Sequence, residues 1–157
     1  MERLEIIETL KHIPDRVEDE VAGLTETVLR YQPAEGEWSI NEVCGHLRDV
    51  AQNWSKRLYV VWSLTDPLFV SFDGEALARD LAYQEADPRQ FIEEMRRYTD
   101  NTVDLLSHAV DWTRTGQQPG VGRRTLTQFA ENLVAHEEEH LAQIWALKAA
   151  QGVAAAS

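Results

Sequence analysis

His136 and His140 stand four residues apart in the run Leu133-Val134-Ala135-His136-Glu137-Glu138-Glu139-His140-Leu141-Ala142-Gln143-Ile144, which reads as helix throughout. At about 3.6 residues per turn, the two imidazoles lie one above the other on a single face. Phe129, Leu133, Ile144 and Leu147 share that face, so it looks toward a core. A buried imidazole costs free energy unless its nitrogens are satisfied. Two at this spacing compete for the same partners, and one coordinated cation satisfies both. Asn132, Glu139 and Gln143 flank the pair, where acceptors that orient metal-bound imidazoles belong.

The same residues match H-E-x-x-H, the helical zinc-protease signature. A protease of that kind takes its next ligand from downstream, and residues 141–157 contain no His, Asp, Glu or Cys. No segment reads as a strand that would hold an extended peptide, so a protease is disfavoured and a third ligand comes from upstream. His12 and His108 sit alone among polar neighbours and read as surface histidines. His46 is the upstream candidate, at the edge of an apolar seam with Glu42 and Asp49 one turn to either side.

The elements that position these histidines follow from hydrophobic period and capping. Ser39-Ile40-Asn41-Glu42 is a capping box, in which the serine side chain meets a free backbone N–H and the glutamate reaches back. Ile40, Val43, Leu47, Val50, Trp54, Leu58 and Val61 then recur at three and four, giving a long amphipathic helix that ends before Asp66-Pro67. Ser39, Asn53 and Arg57 share the azimuth of His46, so one rim of this helix is polar.

In residues 2–13, Leu4, Ile7 and Leu10 fall at helical spacing; Val17, Val21 and Leu24 keep the period beyond Pro14, which either kinks this helix or opens its continuation. A connection follows over 31–38. Residues 64–87 form another, with a short helix around Glu75 to Tyr83. Asp87-Pro88 reads as N-cap and first helical residue of a third long helix, carried by Phe91, Met95, Tyr98, Thr102 and Leu105 to about Val110. Residues 116–122 read as a loop. Thr125-Leu126-Thr127-Gln128 is a second capping box that opens the last long helix, to about residue 150. No stretch reads as a convincing strand. The expected fold is all-α, a four-helix bundle with one or two short extra helices in its long connections. It occupies residues 1–150 as a single domain, followed by a frayed tail over 151–157.

Composition narrows the partners. The chain has 157 residues, 27 of them acidic and 15 basic, for a formal net charge of −12. That sign repels phosphate backbones and anionic lipid, and Arg96-Arg97 and Arg123-Arg124 are only pairs, so neither nucleic acid nor a membrane surface is an expected partner. No apolar run approaches the about 20 residues a spanning helix needs. The single cysteine, Cys44, allows no internal disulfide, and the N-terminus lacks a signal-peptide pattern, so a cytoplasmic location is expected. Cys44 points away from His46 and reads as a packing residue, and Trp54 and Trp145 as core or interface rings.

The segment from Trp38 to Asp49, with Trp38-Ser39, Glu42 and His46-Leu47 in order, resembles a signature of the DinB-like superfamily, YfiT-type proteins included. His136 to Ile144 resembles that family's closing H-x-x-x-H-x-x-Q-[IV] helix. Arg57-Leu58, Asp111-Trp112-Thr113-Arg114 and Arg124-Thr125-Leu126 are similar to intermediate pieces, so the resemblance spans Pro14 to Leu147. It implies a four-helix bundle that holds one divalent ion, nickel or zinc, on His46, His136 and His140, and pairing into a homodimer. One departure is Glu137, where relatives often carry aspartate. The family is not the DNA polymerase that shares its name.

Three neutral imidazoles leave such an ion a net positive charge and an open position. Water bound there ionises near neutrality, and a thiol is deprotonated outright. Relatives use a low-molecular-weight thiol such as bacillithiol or mycothiol, so the resemblance implies a thiol-dependent S-transferase acting on a small molecule. Asp49 and Arg57 are then candidate catalytic residues that orient the cosubstrate, although a salt bridge across the bundle explains them as well. Two alternatives stand beside it. One is a hydrolase with Glu42, Asp49 or Glu139 as general base; the other is a non-catalytic metal-binding or stress-response protein.

Overall fold

In the computed structural model, which describes residues 1–156, six helices and one small hairpin account for the chain. Four helices are long: α1 (Arg3–Val21), α3 (Ile40–Ser63), α5 (Pro88–His108) and α6 (Leu126–Ala149). Two short ones, α2 (Glu26–Arg30) and α4 (Gly74–Asp80), sit in the connections, the latter followed by a 3-10 turn over Tyr83–Glu85. The fold is the expected four-helix bundle with short extra helices.

The capping residues set the boundaries. Ser39 accepts from the Glu42 N–H while Glu42 reaches back to Ser39, and Thr125 and Gln128 do the same for α6. Both boxes satisfy backbone donors that a helix start leaves free. Asp87 caps α5 with Pro88 as its first residue. The short helix does not run from Glu75 to Tyr83: Asp73 caps it one residue earlier, and Ala82 turns left-handed (φ 53°) and separates it from the 3-10 turn.

The long helices pack in a ring, α1 against α5, α5 against α3, α3 against α6, and α6 against α1. Helices consecutive in the chain are therefore not always neighbours: α1 reaches α3, and α5 reaches α6, across the diagonal. This explains why neither of those connections is a tight turn. Ile6, Leu10, Ile13, Val17 and Val21 form the buried stripe of α1, while Leu4 is 77% exposed. The expected stripe through Leu4 and Ile7 is thus rotated, because Leu10 belongs to both spacings and only Ile13 and Val17 decide between them. Pro14 neither ends nor restarts the helix; it is buried inside a continuous α1.

Strands are present where none was expected. β1 (Thr115–Gln118) pairs antiparallel with β2 (Gly122–Thr125), in the stretch that reads as a loop. Neither strand has apolar alternation, so the hairpin is held from outside. Asp66 accepts from Thr115 Oγ1 (2.9 Å), Gln117 Nε2 (2.8 Å) and the Arg123 guanidinium (2.8 Å to Nη2), and Gln117 bonds through its backbone to Pro67 and Phe69. The Arg123 and Thr115 hydrogen bonds hold the Asp66 carboxyl down at about 2.

At the far end of the bundle, Glu20 and Lys148 form a buried pair. Lys148 Nζ donates to the Glu20 carboxylate (2.8 Å) and to its backbone carbonyl (2.9 Å). Residues beyond α6 fold back over it, with the Ala156 N–H donating to the same carboxylate (3.0 Å); Ser157, the last residue of the expected tail, lies outside the described residues. Burial works to raise the Glu20 pKa, but the bonds from Lys148 and Ala156 prevail and hold it below 4.5. Removing one partner of a buried pair strands the other, so Lys148→Met is expected to cost about 3–5 kcal/mol in urea unfolding at neutral pH. A carboxyl with a lowered folded pKa contributes stability above its unfolded pKa, and that contribution is lost as pH falls through the folded value. The gap between wild type and Lys148→Met should therefore narrow below about pH 4. A gap that widens in acid would contradict the assignment.

Candidate metal centre

His46 lies in the second turn of α3, and His136 and His140 lie in the middle of α6, the helix packed beside it. The structure brings the three imidazoles together, with one ligand nitrogen of each within 4.8 Å of the other two. His136 Nε2 is the hub, 3.3 Å from His46 Nε2 and 3.2 Å from His140 Nε2. Nitrogens bound at about 2.0–2.1 Å in a tetrahedral site lie about 3.3 Å apart, so the two spacings around His136 match one shared cation. Hydrogen bonding explains it less well, since a single Nε2 cannot serve two imidazoles with both a proton and a lone pair.

The protonation states also suit ligands. Burial, then the neighbouring His140 and His136, pushes His46 down to about 3. Burial and His140 likewise hold His136 below its ordinary value, against a smaller opposing effect of Glu139. Both rings are therefore neutral near pH 7, the form that binds a metal. Gln143 Oε1 accepts from His140 Nδ1 at 2.8 Å, which places that proton and leaves Nε2 free. The expected flanking role thus falls to Gln143. Asn132 lines the cavity beside His136, and Glu139 is exposed.

The His46 ring is boxed in. Trp38 lies 4.7 Å away between ring centroids, Phe72 stacks at 6.3 Å, and Gly74 closes the Nδ1 side. Nδ1 is buried without a hydrogen-bond partner. Glu137 is almost fully buried between the two α6 histidines in sequence, and burial alone pushes its carboxyl up to about 8.

Two cavities meet this cluster. One, of about 510 Å³, is lined by His46 and His136 together with Arg57, Phe72, Gln118 and Arg124. The other, of about 490 Å³, is lined by His140 and Gln143 with Trp38, Glu37 and Glu75. Arg57 therefore has a place beside the histidines, where its guanidinium packs against Trp54 and Phe69 and donates to the Val70 carbonyl. Asp49 lines neither cavity. It accepts from Tyr83 Oη (2.6 Å) and Arg48 Nε (2.8 Å), in a network that ties α3 to α5 through Glu94. Cys44 is buried, which pushes its thiol up to about 12, so it is inert packing. Trp54 is buried in the core and Trp145 is partly exposed.

Sequence reasoning did not find Gly74, Phe72 or the two hairpin residues. The position of Arg124 follows only once the hairpin and its contact with Asp66 are known. Adjacent strand residues face opposite ways, so once Arg123 binds Asp66, Arg124 must point to the other side.

The profile of the DinB superfamily matches residues 9–144. The chain belongs to the DinB superfamily. Its fold is similar to that of YfiT from Bacillus subtilis, with a TM-score of 0.90 and 22% sequence identity over 97% of this chain and 89% of that one. YfiT is described as a "probable metal-dependent hydrolase with an unusual four-helix bundle topology". No curated protein sequence matches this chain significantly. Among the described residues, no helix is long and apolar enough to cross a membrane.

Proposed function

We propose that this protein is a metal-dependent S-transferase, which joins a low-molecular-weight thiol to a small electrophile. His46, His136 and His140 would hold the divalent ion, nickel or zinc, and the protein would work as the homodimer that its family resemblance implies. Such an ion supplies a Lewis-acidic open position at which a thiol becomes nucleophilic at neutral pH. The conjugation would form a bond from the sulfur to the electrophilic carbon, release the leaving group with its electron pair and pass the thiol proton to solvent.

The observation that carries this reading is the division of the triad between two cavities. A transfer needs room for two organic molecules at one centre, and spaces of about 510 and 490 Å³ open beside different histidines of the same cluster. The chain's own residues support it by fixing the nitrogens. Gln143 orients His140, and Trp38, Phe72 and Gly74 hold His46.

Hydrolysis is the second reading, favoured by the description of YfiT and by Glu37 and Glu75 at the His140 side. The earlier candidates for its general base are less suitable. Glu42 is held in its capping box and by Gln32, Asp49 is held by Tyr83 and Arg48, and Glu139 lines neither cavity.

Thiol dependence separates the two. The metal-loaded protein is mixed with monochlorobimane and, in turn, cysteine, glutathione, bacillithiol or mycothiol. At least one thiol is expected to give conjugate well above the uncatalysed rate, and a chelator should remove the excess. Hydrolysis of ester or amide substrates at a rate indifferent to every thiol, with no conjugation, would establish the second reading instead.

A further inference from the structure

The cavity beside His46 and His136 is basic in an acidic protein. The chain carries 27 acidic residues in 157, yet no Asp or Glu lines this cavity, while two arginines do. Arg57 is nine-tenths buried, and Arg124 is half-buried with its Nε shut away from water. Among the described residues neither guanidinium lies within ion-pair distance of a carboxylate. Arg57 donates only to the backbone carbonyl of Val70, and Arg124 Nε has no hydrogen-bond partner.

Burying an unpaired cation is costly, and most buried arginines meet a carboxylate. Elsewhere Arg48 meets Asp49 and Glu94, and Arg96 meets Asp15 and Glu18, while half-buried Arg114 is satisfied by two backbone carbonyls, those of Val61 and Leu64. Among the described residues Arg57 and Arg124 have only the Val70 bond between them, and they share one cavity, which points to a common cause. Arg57 is also rigid, with its guanidinium about 5 Å from the ring centroids of both Trp54 and Phe69. Such a fork is already arranged for two parallel hydrogen bonds to an oxyanion. The two arginines come from separate elements, α3 and β2, so their convergence is a product of tertiary structure rather than of a local basic run.

We propose that this cavity binds the oxyanion end of the substrate, a carboxylate or a phosphate, on Arg57 and Arg124. The remainder of the molecule then extends toward His46 and His136, which line the same space. The inference deepens the transferase reading by naming the charge of one substrate, and it applies equally to a hydrolase. It explains how a chain of net charge −12 admits an anion at all, since the cavity supplies a local field of the opposite sign.

The test uses full-length protein freed of metal by a chelator, so its outcome is independent of metal chemistry and of any thiol. Isothermal titration calorimetry at low ionic strength follows inorganic phosphate, succinate and the neutral analogue succinamide. At least one anion should bind saturably at one site per chain, weaken with added salt and exceed succinamide by tenfold or more. Preference between phosphate and succinate identifies the oxyanion. Arg124→Gln and Arg57→Gln should each weaken that anion about tenfold, and Arg57→Lys should retain part of its affinity. Arg57 also packs on two rings, so Arg124→Gln, on the exposed hairpin, carries the test if Arg57→Gln melts early. Binding of succinamide equal to the anions, affinity unchanged in folded Arg124→Gln, or no saturable binding of either anion would overturn the proposal.

Discussion

Replacing His136 with alanine is expected to abolish tight binding of a divalent ion while leaving the bundle folded. His136 Nε2 is the only nitrogen of the cluster placed 3.3 Å from His46 and 3.2 Å from His140, so its loss leaves two donors without their shared centre. Changes to groups that merely orient a ligand cost about 10–100-fold in metal affinity. Loss of a ligand itself should cost at least about 100-fold. Elemental analysis after dialysis, with competition against a chromophoric chelator, measures this directly. Wild-type protein that retains no more nickel or zinc than His136→Ala would remove the metal centre from consideration.

The same variant decides between an open site and a structural staple. Without metal, the three clustered imidazoles are a liability to the fold, since burial disfavours the charged form of His46 and His136 and their nitrogens crowd together. Metal-free wild type and His136→Ala should therefore melt within a few degrees of each other. A staple predicts instead that neither metal-free protein keeps a cooperative melting transition, because folding then depends on the bound ion.

What was legible in the sequence was whatever a helix dictates locally. The spacing of His136 and His140 fixes their common face, and the boxes at Ser39–Glu42 and Thr125–Gln128 place the starts of α3 and α6. Azimuth on α3 likewise put His46, Asp49 and Arg57 along one rim. It says which way a side chain points but not what it meets there. Tyr83 arrives from a 3-10 turn and claims Asp49, whereas only a cavity and the Val70 backbone lie before Arg57. The hairpin was illegible for a different reason. Its polar strands are stable because Asp66, about 50 residues earlier, gathers Thr115, Gln117 and Arg123, and no local pattern reports that contact. Missing the hairpin meant missing Arg124, and with it the cavity's charge.

Gly74 shows how far a site can depend on a residue that contributes no side chain. It is the first residue of α4, just after the Asp73 cap, where local propensity alone favours alanine over glycine by up to about 1 kcal/mol. By that reasoning Gly74→Ala should stabilise the protein. A Cβ at this position, however, would sit 2.6 Å from His46 Nδ1 and 2.7 Å from His46 Cε1. The ring has little room to retreat, since Trp38 and Phe72 pack on it and His46 is only 7% exposed. Overpacking of this kind costs about 1–3 kcal/mol, which exceeds the gain in propensity. The strain is relieved by rotating His46, and that carries its Nε2 away from His136. Gly74→Ala is therefore expected to lower metal affinity about 10–100-fold, with a small loss of melting temperature and with every ligand still present. Chelator competition on Gly74→Ala beside wild type measures the shift. Affinity equal to wild type would mean that α4 yields rather than His46, and that the imidazole is not held in place by this backbone.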